Sequence, residues 1–289
     1  PYCRGKSYDR VKLINTKVKH TGIPFVYCNM VGAQDELIYD GESIAMNSSG
    51  SIIAYLKSFK EDRHIVNVHS KKPINIKTLS DEEKTYDALV LGLSDYFQKT
   101  NHSDAVIGLS GGIDSALTAV LACDALGPDN VTSVMMPSKF NSNASLDDAR
   151  RLSKNLGINF EMISIQEIID KVDQHLAPLF QGKERDVTEE NIQSRLRAVL
   201  LMAFSNKEKH LLLSTGNKSE IAVGYSTIYG DMAGAYNPLK DIYKTKVYEL
   251  SEWRNSAAKD NDFSVKKPIP DNILLKEPSA ELAFDQKDT

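Results

Sequence analysis

The chain has 289 residues, a formal net charge of −4 and 41% hydrophobic residues, enough for one large buried core or two smaller ones. The negative balance argues against general electrostatic binding of nucleic acid, and no run of about 18 apolar residues exists to span a bilayer. Cys3, Cys28 and Cys123 share neither CxxC nor metal-ligand spacing, which points to a reducing, cytoplasmic setting in which the thiols serve in packing.

The first residues, from Pro1, read as loop with no charged and apolar leader, as expected for a piece of something longer. Short strands follow at residues 24–28, 37–39, 43–46 and 51–55, with turns at Asp40-Gly41 and Ser48-Ser49-Gly50. After a mixed basic stretch around Lys71-Lys72-Pro73, a helical pattern runs over 81–99. The division expected is a β-rich unit over 1–70, a linker over 71–80 and a second domain over 81–289.

From residue 105 strands and helices alternate: strand 105–109, helix 114–126, strand 131–136, helix 145–156 ended by Gly157, strand 158–164, helix 166–177, helix 188–206 and strand 211–215. Such alternation predicts an α/β fold with a doubly wound parallel sheet, whose ligands bind where loops leave the carboxyl ends of strands. The loops singled out are therefore 110–114, 136–141 and 215–220.

Ser110-Gly111-Gly112 separates an apolar strand from a helix start. Its glycines open backbone N–H groups to an anion, and the helix N-terminus adds unpaired donors, so the loop suits phosphate. It is not a Walker A sequence, and its only charge is Asp114. An acid beside bound phosphates suggests Mg2+ between them. The plainer alternative is an ordinary turn with Asp114 or Ser115 as N-cap. Thr215-Gly216-Asn217-Lys218-Ser219-Glu220 offers a second carboxylate at a second strand end, and Asp231, Lys240 and Lys244 follow in a glycine-punctuated stretch. Read plainly, Glu220 is a helix-start acid, Asp231 a turn former and the lysines solvated surface. Helix 188–206 starts with Thr188 as N-cap and carries Asn191 and Arg195 on one face, with Arg197 pointing elsewhere. Trp253, Tyr225, Tyr229 and Tyr236 read as core or wall.

Together these stretches resemble one family. Ser110-Gly111-Gly112-Ile113-Asp114-Ser115 is similar to the pyrophosphate loop of the N-type ATP pyrophosphatases. Within that group the resemblance is to the NAD synthetases, through Met136-Pro137-Ser138, Thr188-Glu189-Glu190-Asn191 with Arg195 and Arg197, Gly216-Asn217-Lys218-Ser219-Glu220, Tyr229-Gly230-Asp231-Met232-Ala233-Gly234, Tyr243-Lys244-Thr245 and Lys276-Glu277-Pro278-Ser279-Ala280-Glu281-Leu282. The β-rich start, through Val31-Gly32-Ala33-Gln34-Asp35-Glu36-Leu37 and Tyr39-Asp40-Gly41, resembles the last third of the nitrilase-type, αββα amidase domain of glutamine-dependent members. The nucleophilic cysteine of that domain, with its glutamate and lysine partners, lies upstream of the matching part, and Cys3 is not that cysteine.

The resemblance implies an adenine nucleotide alpha hydrolase-like fold and conversion of deamido-NAD, ATP and ammonia into NAD, AMP and pyrophosphate, with ammonia from glutamine in the full-length enzyme. It implies that Ser110, Gly111, Gly112 and Ser115 hold pyrophosphate, with Thr215 beside them, and that Asp114 and Glu220 hold Mg2+. It further implies that Lys244 meets the ATP phosphates, Met136 and Arg197 the nucleoside, and Asn191, Arg195, Lys240 and Glu220 the deamido dinucleotide. Asp231 would sit at the ammonia site; catalysis would rest on Asp231, Lys244 and Asp114. A homodimer or larger homo-oligomer is implied, with no nucleic acid or membrane partner. Two departures stand out: Ala235 replaces an acid found in some ammonia-only members, and the chain ends at Thr289 before the family's C-terminal segment finishes, which leaves a lid over the phosphates incomplete. The competing readings are another N-type ATP pyrophosphatase, amidating or thiolating a different acceptor, and a nucleotide-binding module without turnover.

Overall fold

The computed structural model describes residues 1–257, 263 and 265–283, in two compact units, Pro1–Lys99 and Thr100–Thr289. The first opens on helix α1 (Lys6–Thr21), where the sequence reads as loop. Its buried positions, Arg10, Ile14 and Val18, are spaced for one helix face. The pattern is hidden because the first of them is a cation, and its partner is distant: both oxygens of Asp40 accept from Arg10 Nη2, at 3.0 and 3.1 Å. Strands β1 (Phe25–Tyr27), β2 (Val31–Gln34), β3 (Leu37–Asp40), β4 (Ile44–Met46) and β5 (Ile52–Tyr55) follow. They form an antiparallel sheet in the order β1-β4-β5 and a separate β2-β3 hairpin.

Helix α2 (Asp81–Lys99) belongs to this first unit. Asp95 accepts from the Ala33 N–H at 2.6 Å, and Lys84 pairs with Glu42 at 2.6 Å. The division between compact units thus falls after residue 99, whereas composition suggested 71–80. Packing of one helix face, which composition does not report, makes the difference.

The second unit carries the expected parallel sheet. Strands β6 (Ala105–Gly108), β7 (Val131–Met135), β8 (Asn159–Met162) and β9 (Leu211–Leu213) lie in the order β8-β7-β6-β9, all parallel. Ala105, Val106 and Ile107 are fully buried, as a central strand covered on both faces requires. Helices α3 (Ile113–Leu126), α4 (Asn143–Leu156), α5 (Gln166–Leu176) and α6 (Val187–Glu208) match predicted helices to within a few residues at each end. The short α7 (Lys218–Val223), α8 (Lys244–Ala257) and α9 (Asp271–Leu275) are additions to the sequence reading. Helix α8 is anchored by Arg254, fully buried and bonded to both oxygens of Asp124 at 2.7 and 3.0 Å.

The sheet order reverses between β6 and β9, which are neighbours in space but not in sequence. In open parallel sheets that reversal leaves a crevice beyond the carboxyl ends of the two strands. The loops leaving β6 and β9 are 110–112 and 214–217. Of the three cysteines, only Cys123 packs inside; Cys3 and Cys28 are exposed, which corrects the expectation of packing for those two. Among the described residues no helix is long and apolar enough to cross a membrane.

Candidate active site

The Ser-Gly-Gly turn is organised from within. Ser115, on the first turn of α3, donates to the Gly112 carbonyl at 3.0 Å, and its Oγ lies 3.0 Å from Ser110 Oγ. Gly112 is the extended N-cap of α3 and provides no side-chain cap. Neither Asp114 nor Ser115 caps the helix, so the plainer reading of this loop fails. The Asp114 carboxylate instead reaches across the crevice: Oδ1 accepts from Asn217 Nδ2 at 2.9 Å and Oδ2 pairs with Lys244 Nζ.

Asn217 ties the second loop to the first. It is fully buried and caps α7 in a reciprocal box, accepting from the Glu220 N–H at 3.1 Å while its own N–H donates to Glu220 Oε2 at 3.0 Å. Glu220 is therefore a helix-start acid through one oxygen, as its plain reading has it, and also a neighbour of Asp114. Burial, then the charge of Asp114, pushes its carboxyl up to about 7, with the Asn217 N–H and Lys244 opposing. Burial works to lower the Lys244 pKa, but the Asp114 charge and hydrogen bond, then Glu220, outweigh it and the pKa rises.

A buried carboxylate pushed up by the charge of a neighbouring one suits a divalent cation. Among the described residues no group of three or more His, Cys, Asp or Glu could hold a metal, so a cation here would complete its shell from phosphate and water, as Mg2+ does. The elevated Glu220 pKa has a consequence for stability. Between its ordinary 4.5 and about 7 the folded state binds more protons than the unfolded one, so stability falls as pH rises through that window. Glu220→Gln keeps an acceptor for Asn217. Differential scanning fluorimetry of the ligand-free protein should show its Tm a few degrees above the parent's at pH 8, with the gain shrinking toward pH 5; equal melting at pH 8 would contradict the carboxylate coupling.

Two cavities adjoin the loops. The smaller, of about 210 Å³, is lined by residues 110–115, Glu220 and Lys244. The larger, of about 480 Å³, is walled by Gly108, Met136, Arg197, Leu212 and Asn191. Ser110, Asn141, Thr215, Tyr225 and Asp231 line both. Arg197 donates to the Met136 carbonyl at 3.2 Å and to Asn141 Oδ1 at 3.4 Å. Burial pushes its pKa down to about 10, against the opposing charge of Glu281. Asn191 accepts from Thr227 Oγ1 at 2.8 Å. Asp231 uses Oδ1 to accept from the Thr227 N–H at 2.7 Å, while its own N–H donates to Ser194 Oγ at 3.0 Å. Gly230 is required beside it, since a Cβ there would lie 2.3 Å from Ser194 Oγ.

Two predicted residues lie apart. Arg195 lines neither cavity, because the Ile228 carbonyl captures its Nε at 3.2 Å. Lys240 is exposed on the turn before α8 and lines neither. The N-cap of α6 is Asp186, in a capping box with Glu189, rather than Thr188. Tyr225 is a wall residue as expected, whereas Tyr229 is 83% exposed.

One cluster had no assigned role. Glu281 accepts from Asn141 Nδ2 at 3.0 Å, Ser142 Oγ at 3.0 Å, Ser145 Oγ at 2.7 Å and Lys276 Nζ at 2.7 Å. Gln193, 1% exposed, donates to the Leu282 carbonyl at 2.9 Å. Segment 276–282 is thereby pinned across the smaller cavity. Its sequence stands out as a motif, but the donors it meets are about 90 to 140 residues away.

The profile of the NAD synthase family matches residues 85–289. The chain is 48% identical to a glutamine-dependent NAD(+) synthetase of Rhodobacter capsulatus, over all of this chain and 54% of that protein. It therefore spans about half the length of that curated relative. Its structure is similar to glutamine-dependent NAD+ synthetase from Acinetobacter baumannii, solved with ADP, at TM-score 0.88 and 38% identity over 98% of this chain and 54% of that one. NMN synthetase from Francisella tularensis matches at TM-score 0.62 and 34% identity, over 73% of this chain and 80% of that one. With the profile over residues 85–289 and the parallel-sheet fold in agreement, this chain belongs to the NAD synthase family.

Proposed function

We propose that this chain catalyses ATP-dependent amidation of deamido-NAD with ammonia, releasing AMP and pyrophosphate. The observation that carries the reading is the convergence of Asp114, Asn217, Glu220 and Lys244 beside the Ser-Gly-Gly loop, within a family described as NAD synthase. A substrate carboxylate oxygen attacks the α-phosphorus of ATP and displaces pyrophosphate into the loop. Ammonia then attacks the acyl-adenylate carbonyl, AMP leaves, and the nitrogen loses a proton. Such chemistry needs positioning and charge neutralisation rather than a protein nucleophile. The larger cavity would take the ATP nucleoside against Arg197 and the smaller one the β- and γ-phosphates. Asp231, at the meeting of the two, is sited to hold ammonium and accept its proton. When bound, Mg2+ neutralises charge on the departing pyrophosphate, with Asp114 and Glu220 as its protein ligands.

Residues 1–70 are read as the last part of an amidase domain, with glutamine as the ammonia source in the full-length enzyme. A cytoplasmic homodimer belongs to the same reading. Helix α6 fits the dimer in that Val199 and Met202, three residues apart on one face, are both exposed. Asn191, Arg195 and Lys240 would then meet the dinucleotide, the last two from outside the cavities of a single chain.

The test is NAD formation from deamido-NAD, ATP and magnesium, with ammonium chloride in one reaction and glutamine in another. Turnover with ammonium alone is expected. Nicotinic acid mononucleotide as an alternative acceptor should react at least about tenfold more slowly, because it lacks the adenylate half that supplies remote binding energy. Absence of pyrophosphate release with every acceptor would reduce the chain to a nucleotide-binding module.

A further inference from the structure

Segment 276–282 holds a cation whose place the acid pair and the Ser-Gly-Gly loop do not explain. Lys276, immediately after α9, bonds Ser145 Oγ and lies 2.7 Å from Glu281 Oε1, with 30% of its side chain exposed. It lines the smaller cavity together with Ser110, Gly112 and Ser115. The two walls are in direct contact, since a Cβ added at Gly111 would lie 2.5 Å from the Ser145 carbonyl oxygen. Lys276 thus sits one side chain away from the backbone of the Ser-Gly-Gly turn.

Charge makes this position consequential. Five carboxylates (Asp114, Glu220, Asp231, Glu277 and Glu281) and two lysines line the cavity. One of those lysines, Lys244, is engaged by Asp114. A polyphosphate entering such a site needs more positive charge than Lys244 supplies, and a divalent cation at the acid pair answers only for the side that faces it. Glu281 is 13% exposed on its side chain and takes donors from Asn141, Ser142, Ser145 and Lys276, so it serves as a clamp. Gln193 fixes the same segment from α6 through the Leu282 carbonyl. The ammonium is therefore held at the cavity wall by a structure pinned at both ends.

We propose that Lys276 is a second phosphate-binding cation of the site, recognising the β- and γ-phosphates of ATP and the pyrophosphate product, with Glu281 as the residue that positions it. The inference rests on the reading of this chain as a pyrophosphate-releasing synthetase. When a phosphate oxygen arrives, Lys276 exchanges part of its contact with Glu281 and Ser145 for the ligand.

Isothermal titration with inorganic pyrophosphate and with AMP, both in magnesium, separates the outcomes. Lys276→Met should weaken pyrophosphate binding at least about tenfold and leave AMP binding within about twofold. Lys276→Arg should restore most of the loss while keeping the pair with Glu281. A lysine that only braces the segment would change Tm and leave the pyrophosphate affinity at the parent's value, which overturns the inference. Lys244→Met serves as the reference. If it loses pyrophosphate while Lys276→Met does not, only the role of Lys276 falls. If the parent protein itself binds no pyrophosphate, the synthetase reading falls with it.

Discussion

Asp114→Asn is expected to lower kcat/KM for ammonium-dependent NAD formation by at least about 1000-fold, with Tm near the parent's. Asn has the same shape and keeps an oxygen for Asn217, so the loop-to-loop hydrogen bond at 2.9 Å has a ready replacement. What disappears is charge. Lys244 loses the carboxylate that holds it at the cavity, and Glu220 is left as the lone acid for a cation. Removing one preorganised electrostatic partner at a site of developing charge costs about 100- to 1000-fold in turnover. Losing the lysine anchor and half of the acid pair together sets the expectation at the upper end or beyond. Steady-state kinetics at saturating ATP and several magnesium concentrations decides the matter. A fall of less than tenfold at every magnesium concentration would remove Asp114 from the chemistry.

Gly111→Ala should be the most damaging small change in the second unit, with an expected loss of about 3 kcal/mol, or roughly 6–12 °C in Tm. Two independent costs meet at this residue. Its φ of +81° lies in the left-handed region, which an alanine resists. The new Cβ would also stand 2.5 Å from the Ser145 carbonyl oxygen and 2.9 Å from its Cα, both backbone atoms that a side-chain rotation cannot move. Ser145 lies in the first turn of α4 and shares Glu281 with Lys276, so relief of the clash displaces the wall across from the Ser-Gly-Gly turn. Gly112→Ala is the matched control. Its φ is −91°, and its only near contact is the rotatable Ser110 Oγ at 3.2 Å, so a loss under about 1 kcal/mol is expected. Thermal unfolding of the two variants side by side tests the contrast. Equal losses would mean that the tight approach of Ser145 to Gly111 is not a feature of the folded protein.

The parts of the site legible in the sequence are those built from contiguous residues. The Ser-Gly-Gly turn and Glu220 as a helix-start acid are local features that follow from backbone rules within five or six residues. The apolar runs of β6 and β9 announce a buried parallel sheet for the same reason, since each run carries its own hydrophobic signal. Helix α1 escaped because a buried Arg10 interrupts its apolar face, and its partner Asp40 is 30 residues away. Glu281 escaped because an acid in a proline-containing stretch resembles surface loop until four donors close around it. Arg195 and Lys240 fall outside both cavities, a placement their spacing did not reveal. Spacing on a helix or turn gives a direction but not the backbone carbonyl or the solvent that captures the side chain at its end.

The sequence by itself determined the α/β alternation, the Ser-Gly-Gly turn and the identities of the acids and lysines, because these depend on short-range periodicity and on residue chemistry. Tertiary structure alone decided that Asp114 meets Lys244 across 130 residues, that α2 packs with the first unit, and that segment 276–282 shares a cavity with the Ser-Gly-Gly turn. Those outcomes depend on strand order and helix packing. They are settled by the summed burial of many distant side chains, and no window of neighbouring residues contains that sum.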